Sequence, residues 1–161
     1  MLTVQKLDKI LVKTLYYVCG FLMFLMVSVV TAQVISRYLF NSPLTWTEEL
    51  ARYTFVWVSF LGMAVAIKYG SHIALDMLVR KLTGVSRKTL MVFNNMLVLI
   101  FSGILTYSGF EFVKLGARQS SPSLSLPMEL VYIVIPISGI LLIYFVLSET
   151  IQIIRKAGDE Q

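Results

Sequence analysis

RYLFNSPLTWTEELARYTFVWVSFLGMAVAIKYGSHIALD, Arg37 to Asp76, decides the fold, because it sets charged groups beside an apolar run too short to cross a membrane without them. The uncharged part, Tyr53 to Ile67, is 15 residues long, about 22 Å of α-helix at 1.5 Å per residue. A bilayer core is roughly 30 Å thick and takes about 20 apolar residues. If this helix crosses, Glu48, Glu49 and Arg52 lie at the hydrocarbon edge or inside it, where charged groups need partners. Arg52 stands four residues after Glu48 and can pair with it on one face. Glu49 is left on a neighbouring face near Trp46, Leu50 and Tyr53, so that face is expected to look into protein, in this chain or another. Thr45 reads as an N-cap with Glu48 three residues later, a capping box, and Pro43 keeps the chain extended just before it.

Working outward, the whole chain has the same character. It is 57% hydrophobic and 14% charged, with a mean hydropathy of +0.79, which is too apolar for a soluble domain of this size. An all-α integral membrane protein follows, with four transmembrane helices and one short amphipathic helix at the membrane surface. The spans are expected at about 14–36, 46–68, 89–111 and 128–154. Between Lys13 and Arg37 lie 23 residues without a charge, and between Lys88 and Glu111 lie 22. Asn94, Asn95, Ser102 and Gly103 in the third span are the residue types that mark helix contacts in membranes. Glu129 and Glu149 bracket 19 uncharged residues in the fourth, where Pro136 is expected to kink the helix. The loop QSSPSLSLP, Gln119 to Pro127, precludes helix and suggests an ordered extended segment.

The segment HIALDMLVRKLTGVSRK, His72 to Lys88, is too short and too charged to span. On a helix over about 72–83, Leu75, Leu78, Val79 and Leu82 share one face and Asp76, Arg80 and Thr83 the other. Lying in the membrane surface, it would offer Arg80 and Lys81 to anionic headgroups; a cytoplasmic helix packed on the bundle is the alternative. Ten basic residues fall on the side of the termini and this segment and four on the other. The positive-inside rule then puts both termini in the cytoplasm of a multi-pass inner-membrane protein.

Enzyme chemistry finds no foothold. No nucleotide loop, nucleophile elbow or metal motif is present, and one cysteine with one histidine makes no zinc site. No basic run interleaved with aromatics points to nucleic acid. His72 could be a proton site, but a lone histidine at a helix start more often fixes a turn, and Asp76 one turn on could accept from it or pair with Arg80. Trp46, Tyr53, Trp57 and Phe60 recur at roughly helical spacing, as a substrate-stacking wall or, more commonly, as packing at an interface. No carboxylate lies near the middle of a span, so an accessory role is favoured over transport by this chain alone. Two other classes stay open: an autonomous small transporter working as a homodimer, and a membrane anchor for a redox enzyme.

RYLF, LTWTEELARYTFVWVSFLG, HIALD and SPSLSLP together resemble the small membrane subunit of tripartite ATP-independent periplasmic (TRAP) transporters. The resemblance covers most of the chain and implies a non-catalytic scaffold without cofactor. Its partners would be a large elevator-type membrane subunit, a periplasmic substrate-binding protein and membrane lipids. It implies sodium-coupled symport of an organic acid, sialic acid in preference to a C4-dicarboxylate. Arg37, Trp46, Glu48, Glu49, Arg52 and Tyr53 match the family's signature near the outer edge of the second span, and His72 and Asp76 its cytoplasmic turn, next to the anchoring Arg80 and Lys81. From their shallow burial and shared helix, these outer-edge residues and the aromatic stripe with Trp57 are expected to form the interface with the large subunit. One departure is Ser125, where the family pattern expects glycine.

Overall fold

The structure, a computed structural model, describes residues 2–40, 42, 44–70 and 85–158. Five helices appear in it: α1 (Leu2–Leu39), α2 (Thr45–Gly70), α3 (Val85–Gly116), α4 (Glu129–Tyr132) and α5 (Val134–Gly158). Four helical stretches are long and apolar enough to cross a membrane, α4 and α5 together supplying the fourth. The surface helix expected over about 72–83, with His72, Asp76, Arg80 and Lys81, lies outside the described residues.

α1 runs over 38 residues, about 57 Å at helical rise, and so is far longer than its uncharged core. Hydropathy reads where a helix is apolar, and the lysine-bearing turns before Thr14 are helical all the same. Ser36 closes the other end. Its carbonyl accepts the N–H of Phe40 at 3.1 Å and of Ser42 at 3.4 Å, and its hydroxyl donates to the Ser42 carbonyl. These bonds satisfy groups that a helix terminus leaves unpaired and turn the chain toward α2.

α2 begins at Thr45, one residue before the expected capping box would allow. The Leu44 carbonyl accepts from the Thr47 N–H and hydroxyl, and the Glu48 carboxylate goes to Arg52. The buried Thr47 thus donates to the carbonyl that precedes the helix, a bond opposite in direction to the cap expected of Thr45.

The Gln119–Pro127 loop is ordered, as its sequence suggests, but folds back on itself instead of running extended. Ser120 and Pro127 form an isolated antiparallel bridge. The Ser121 N–H donates to the Leu126 carbonyl, and the buried Ser121 hydroxyl accepts the Leu126 N–H at 3.2 Å. This tight turn requires Ser125 to adopt φ 52°, a left-handed conformation that glycine enters without cost. The departure noted in the sequence thus falls where glycine would relieve strain.

Pro136, in the first turn of α5, accounts for the break between α4 and α5. Lacking an N–H, it cannot reach the Tyr132 carbonyl, and the ladder breaks at Ile133. Its ring is received by Gly109 of α3: a methyl group there would sit 2.8 Å from Pro136 Cδ and N. Gly116 opposite Tyr132 and Glu129 of α4, and Gly139 of α5 opposite Thr106, make the seams of α3 with α4 and α5 equally close. Small residues at such crossings let membrane helices approach and gain dispersion contacts that lipid would otherwise provide.

α5 is the best-buried helix and packs between α2 and α3, while α1 lies along α2. The core joins Val12, Ala64, Leu142 and Phe145, with Leu15, Ile67 and Leu105 packed against it. The outward faces of α1 and α3 stay apolar and exposed, for example at Phe21, Phe24, Phe93, Ile100 and Ile104, as expected of surfaces solvated by hydrocarbon.

Candidate functional site

Two polar assemblies stand out from the apolar body, one at each end of α2. At its start, Arg52 Nη2 donates to Glu48 Oε1 at 3.1 Å with both side chains more than half exposed. Glu49 is used differently. Its two oxygens accept the backbone N–H of Ser123 at 3.0 Å and of Leu124 at 3.1 Å, so the carboxylate fills the turn of a loop 74 and 75 residues away. The sequence could not separate the two glutamates. In the structure one forms an exposed helical ion pair and the other clamps the loop between α3 and α4 to α2.

Exposed residues of α2 recur as Thr45, Glu48, Arg52, Phe55, Ser59 and Ala66, spacings that align them in one stripe along the helix. Tyr53 and Trp57 are half-buried on the other side, turned toward the chain's own body, whereas Trp46 and Arg37 are exposed. The seven residues singled out near this edge therefore fall into three settings: Glu48, Arg52, Trp46 and Arg37 open outward, Glu49 holds the loop, and Tyr53 and Trp57 pack inward.

At the far end of α2 lies a knot that sequence reading missed. Lys68 Nζ donates to Asp8 Oδ2 at 2.8 Å, and the Ser148 hydroxyl donates to the same oxygen at 2.8 Å. Asp8 is 6% exposed and Lys68 23%; the lysine also lies 5.9 Å from the centre of the Phe145 ring. Three helices, α1, α2 and α5, are tied by one oxygen atom. Asp8 Oδ1 is buried and accepts no hydrogen bond among the described residues. The available signal was a single acid among three N-terminal lysines, and nothing local reveals that its partners stand 60 and 140 residues on. A third polar contact, Asn95 Nδ2 to Thr150 Oγ1 at 3.0 Å, links α3 to α5, in keeping with the helix-contact reading of Asn95.

Chemically these groups hold helices and loops. Ser28, Thr31, Thr54, Ser102 and Thr106 return their hydroxyls to the carbonyl four residues earlier, which satisfies them within their own helix. Among the described residues no three His, Cys, Asp or Glu side chains gather to hold a metal ion.

Comparison with known proteins agrees in kind. Residues 26–156 match the family described as tripartite ATP-independent periplasmic transporters, DctQ component. A putative TRAP transporter small permease protein of Haemophilus influenzae is 31% identical over 142 residues, covering 88% of each chain. The sialic acid TRAP transporter small permease protein SiaQ of Vibrio cholerae is 34% identical over 122 residues, 70% of each chain. The sialic acid TRAP transporter permease protein SiaT of Haemophilus influenzae is 30% identical over 141 residues, which are 82% of this chain but 22% of that protein. In that relative the matched segment is thus a minor part of a much longer polypeptide.

Proposed function

The chain belongs to the DctQ-component family of TRAP transporters, and from that premise we propose that it is the fixed scaffold beside a large elevator-type permease subunit in sodium-coupled uptake of an organic acid. It is a small permease subunit and a transport component, not an enzyme. The scaffold role rests chiefly on how the chain uses its buried polar groups. Asp8 is held by Lys68 and Ser148, and Asn95 by Thr150, each across a helix seam. A body tied in this way is suited to stay still while a partner moves.

The stripe of Glu48, Arg52, Phe55 and Ser59 on α2, with Trp46 on another face and Arg37 of α1 exposed near the same edge, supports the interface with the large subunit. A half-exposed ion pair on a membrane-crossing helix is poorly solvated by hydrocarbon and better matched by protein. Glu49 would contribute by holding the Gln119–Pro127 loop, which faces the binding protein's side of the membrane if both termini are cytoplasmic. Tyr53 and Trp57 would stiffen the helix from within. On the cytoplasmic side, His72 and Asp76 would set the turn, and Arg80 and Lys81 would anchor the segment to lipid. Likeness to SiaQ supports sialic acid as the cargo, delivered by a periplasmic binding protein to the inner membrane; a C4-dicarboxylate is the alternative.

The test is reconstitution. Proteoliposomes holding the large permease with this chain, given loaded binding protein and an inward sodium gradient, should accumulate labelled sialic acid. The large permease alone should accumulate little. Equal uptake without this chain would refute the scaffold role, and uptake by this chain alone as a homodimer would support the autonomous transporter instead.

A further inference from the structure

We propose that the N-terminal third of α1 is a binding surface for an anionic phospholipid. Lys6, Lys9 and Lys13 are all exposed, and their spacing puts them on one face of the helix. Continuing along that face come Tyr16 and Tyr17, both exposed, then Gly20, Phe21 and Phe24. Lys13 Nζ lies 6.0 Å from the centre of the Tyr17 ring, which holds the cation at the polar edge of the aromatic pair. The order is cations, then phenols, then hydrocarbon, as in a lipid read from its phosphate to its acyl chains.

Charge complementarity names the occupant. The one acid in this part of α1, Asp8, points to the other side, where Lys68 and Ser148 take it, so it does not neutralise the three lysines. A soluble anion would answer the charge alone. The apolar face that follows without a break, with open space around Gly20, calls for an anion carrying its own hydrocarbon. The surface precedes residues 26–156, which carry the family match.

The experiment uses the full chain, delipidated in mild detergent, with thermal stability and native mass spectrometry as readouts. Added phosphatidylglycerol or cardiolipin should raise the melting temperature and give retained lipid adducts, whereas phosphatidylcholine and inorganic phosphate should not. The variant Lys6→Gln/Lys9→Gln/Lys13→Gln should melt like the parent in phosphatidylcholine yet bind anionic lipid about a hundred-fold more weakly, roughly five-fold for each lysine lost. Arginine at the same three positions should restore binding. An equal response from parent and glutamine variant would overturn the proposal, as would a response to inorganic phosphate alone. So would unchanged lipid binding together with lost recovery of the large permease, which would make the face a protein contact.

Discussion

Replacing Asp8 with asparagine should loosen the whole arrangement of α1, α2 and α5. The change leaves Lys68, 23% exposed, beside a neutral amide and weakens the bond from Ser148. Removing one partner of a buried pair costs about 3–5 kcal/mol. Lys68 sits in the last turn of α2, where a long side chain can redirect its head toward water, so the lower end, about 3 kcal/mol, is expected. For a chain of this size that is a fall of roughly 6–12 °C in melting temperature. The sharper test is the cycle with Lys68→Met. Alone, Lys68→Met strands the Asp8 carboxylate, whose Oδ1 already accepts no hydrogen bond among the described residues, and should cost at least as much. The double variant removes both charges and should lie within about 1 kcal/mol of the parent, because replacing a buried pair entirely is often nearly neutral. Melting of the purified protein in mild detergent reads all four corners. If Asp8→Asn behaves like a surface substitution, or if the two single losses simply add, Asp8 and Lys68 do not couple the three helices.

Glu49→Gln should speed hydrogen exchange at the Ser123 and Leu124 amides about ten-fold by weakening two charge-assisted bonds, whereas Glu48→Gln should leave those amides unchanged. Gly109→Ala would place a methyl 2.8 Å from Pro136 and should destabilise by about 1–3 kcal/mol in thermal melts. Gly103→Ala meets nothing within 4 Å and should be neutral or stabilising by up to about 1 kcal/mol. Asn95→Leu, which removes the bond to Thr150, should cost only about 0.6 kcal/mol, the typical worth of such bonds within membranes, measured the same way.

The helices were legible because hydrophobic runs bounded by charge report apolar length directly, and the Glu48–Arg52 pair was legible because helical spacing alone fixes it. Local patterns went wrong where a competing local bond existed. Leu44 and Thr47 start α2 in place of the Thr45 capping box, and Ser121 curls a loop whose prolines suggested extension. For contacts distant in sequence, residue type marked Asn95 as a helix contact but no partner could be read. Neither the Asp8 knot nor the clasp of Glu49 on Ser123 and Leu124 follows from any nearby residue. The serine at position 125 is the intermediate case, a departure visible in the sequence whose meaning, a left-handed turn, needed the backbone.

The most direct measurement is purification of the tagged chain from its native host in mild detergent, with quantitative mass spectrometry of what accompanies it. The scaffold account predicts one large polytopic permease in near-equal amount, with recovery reduced by charge reversal at Arg52. A homodimer free of any such partner would contradict it.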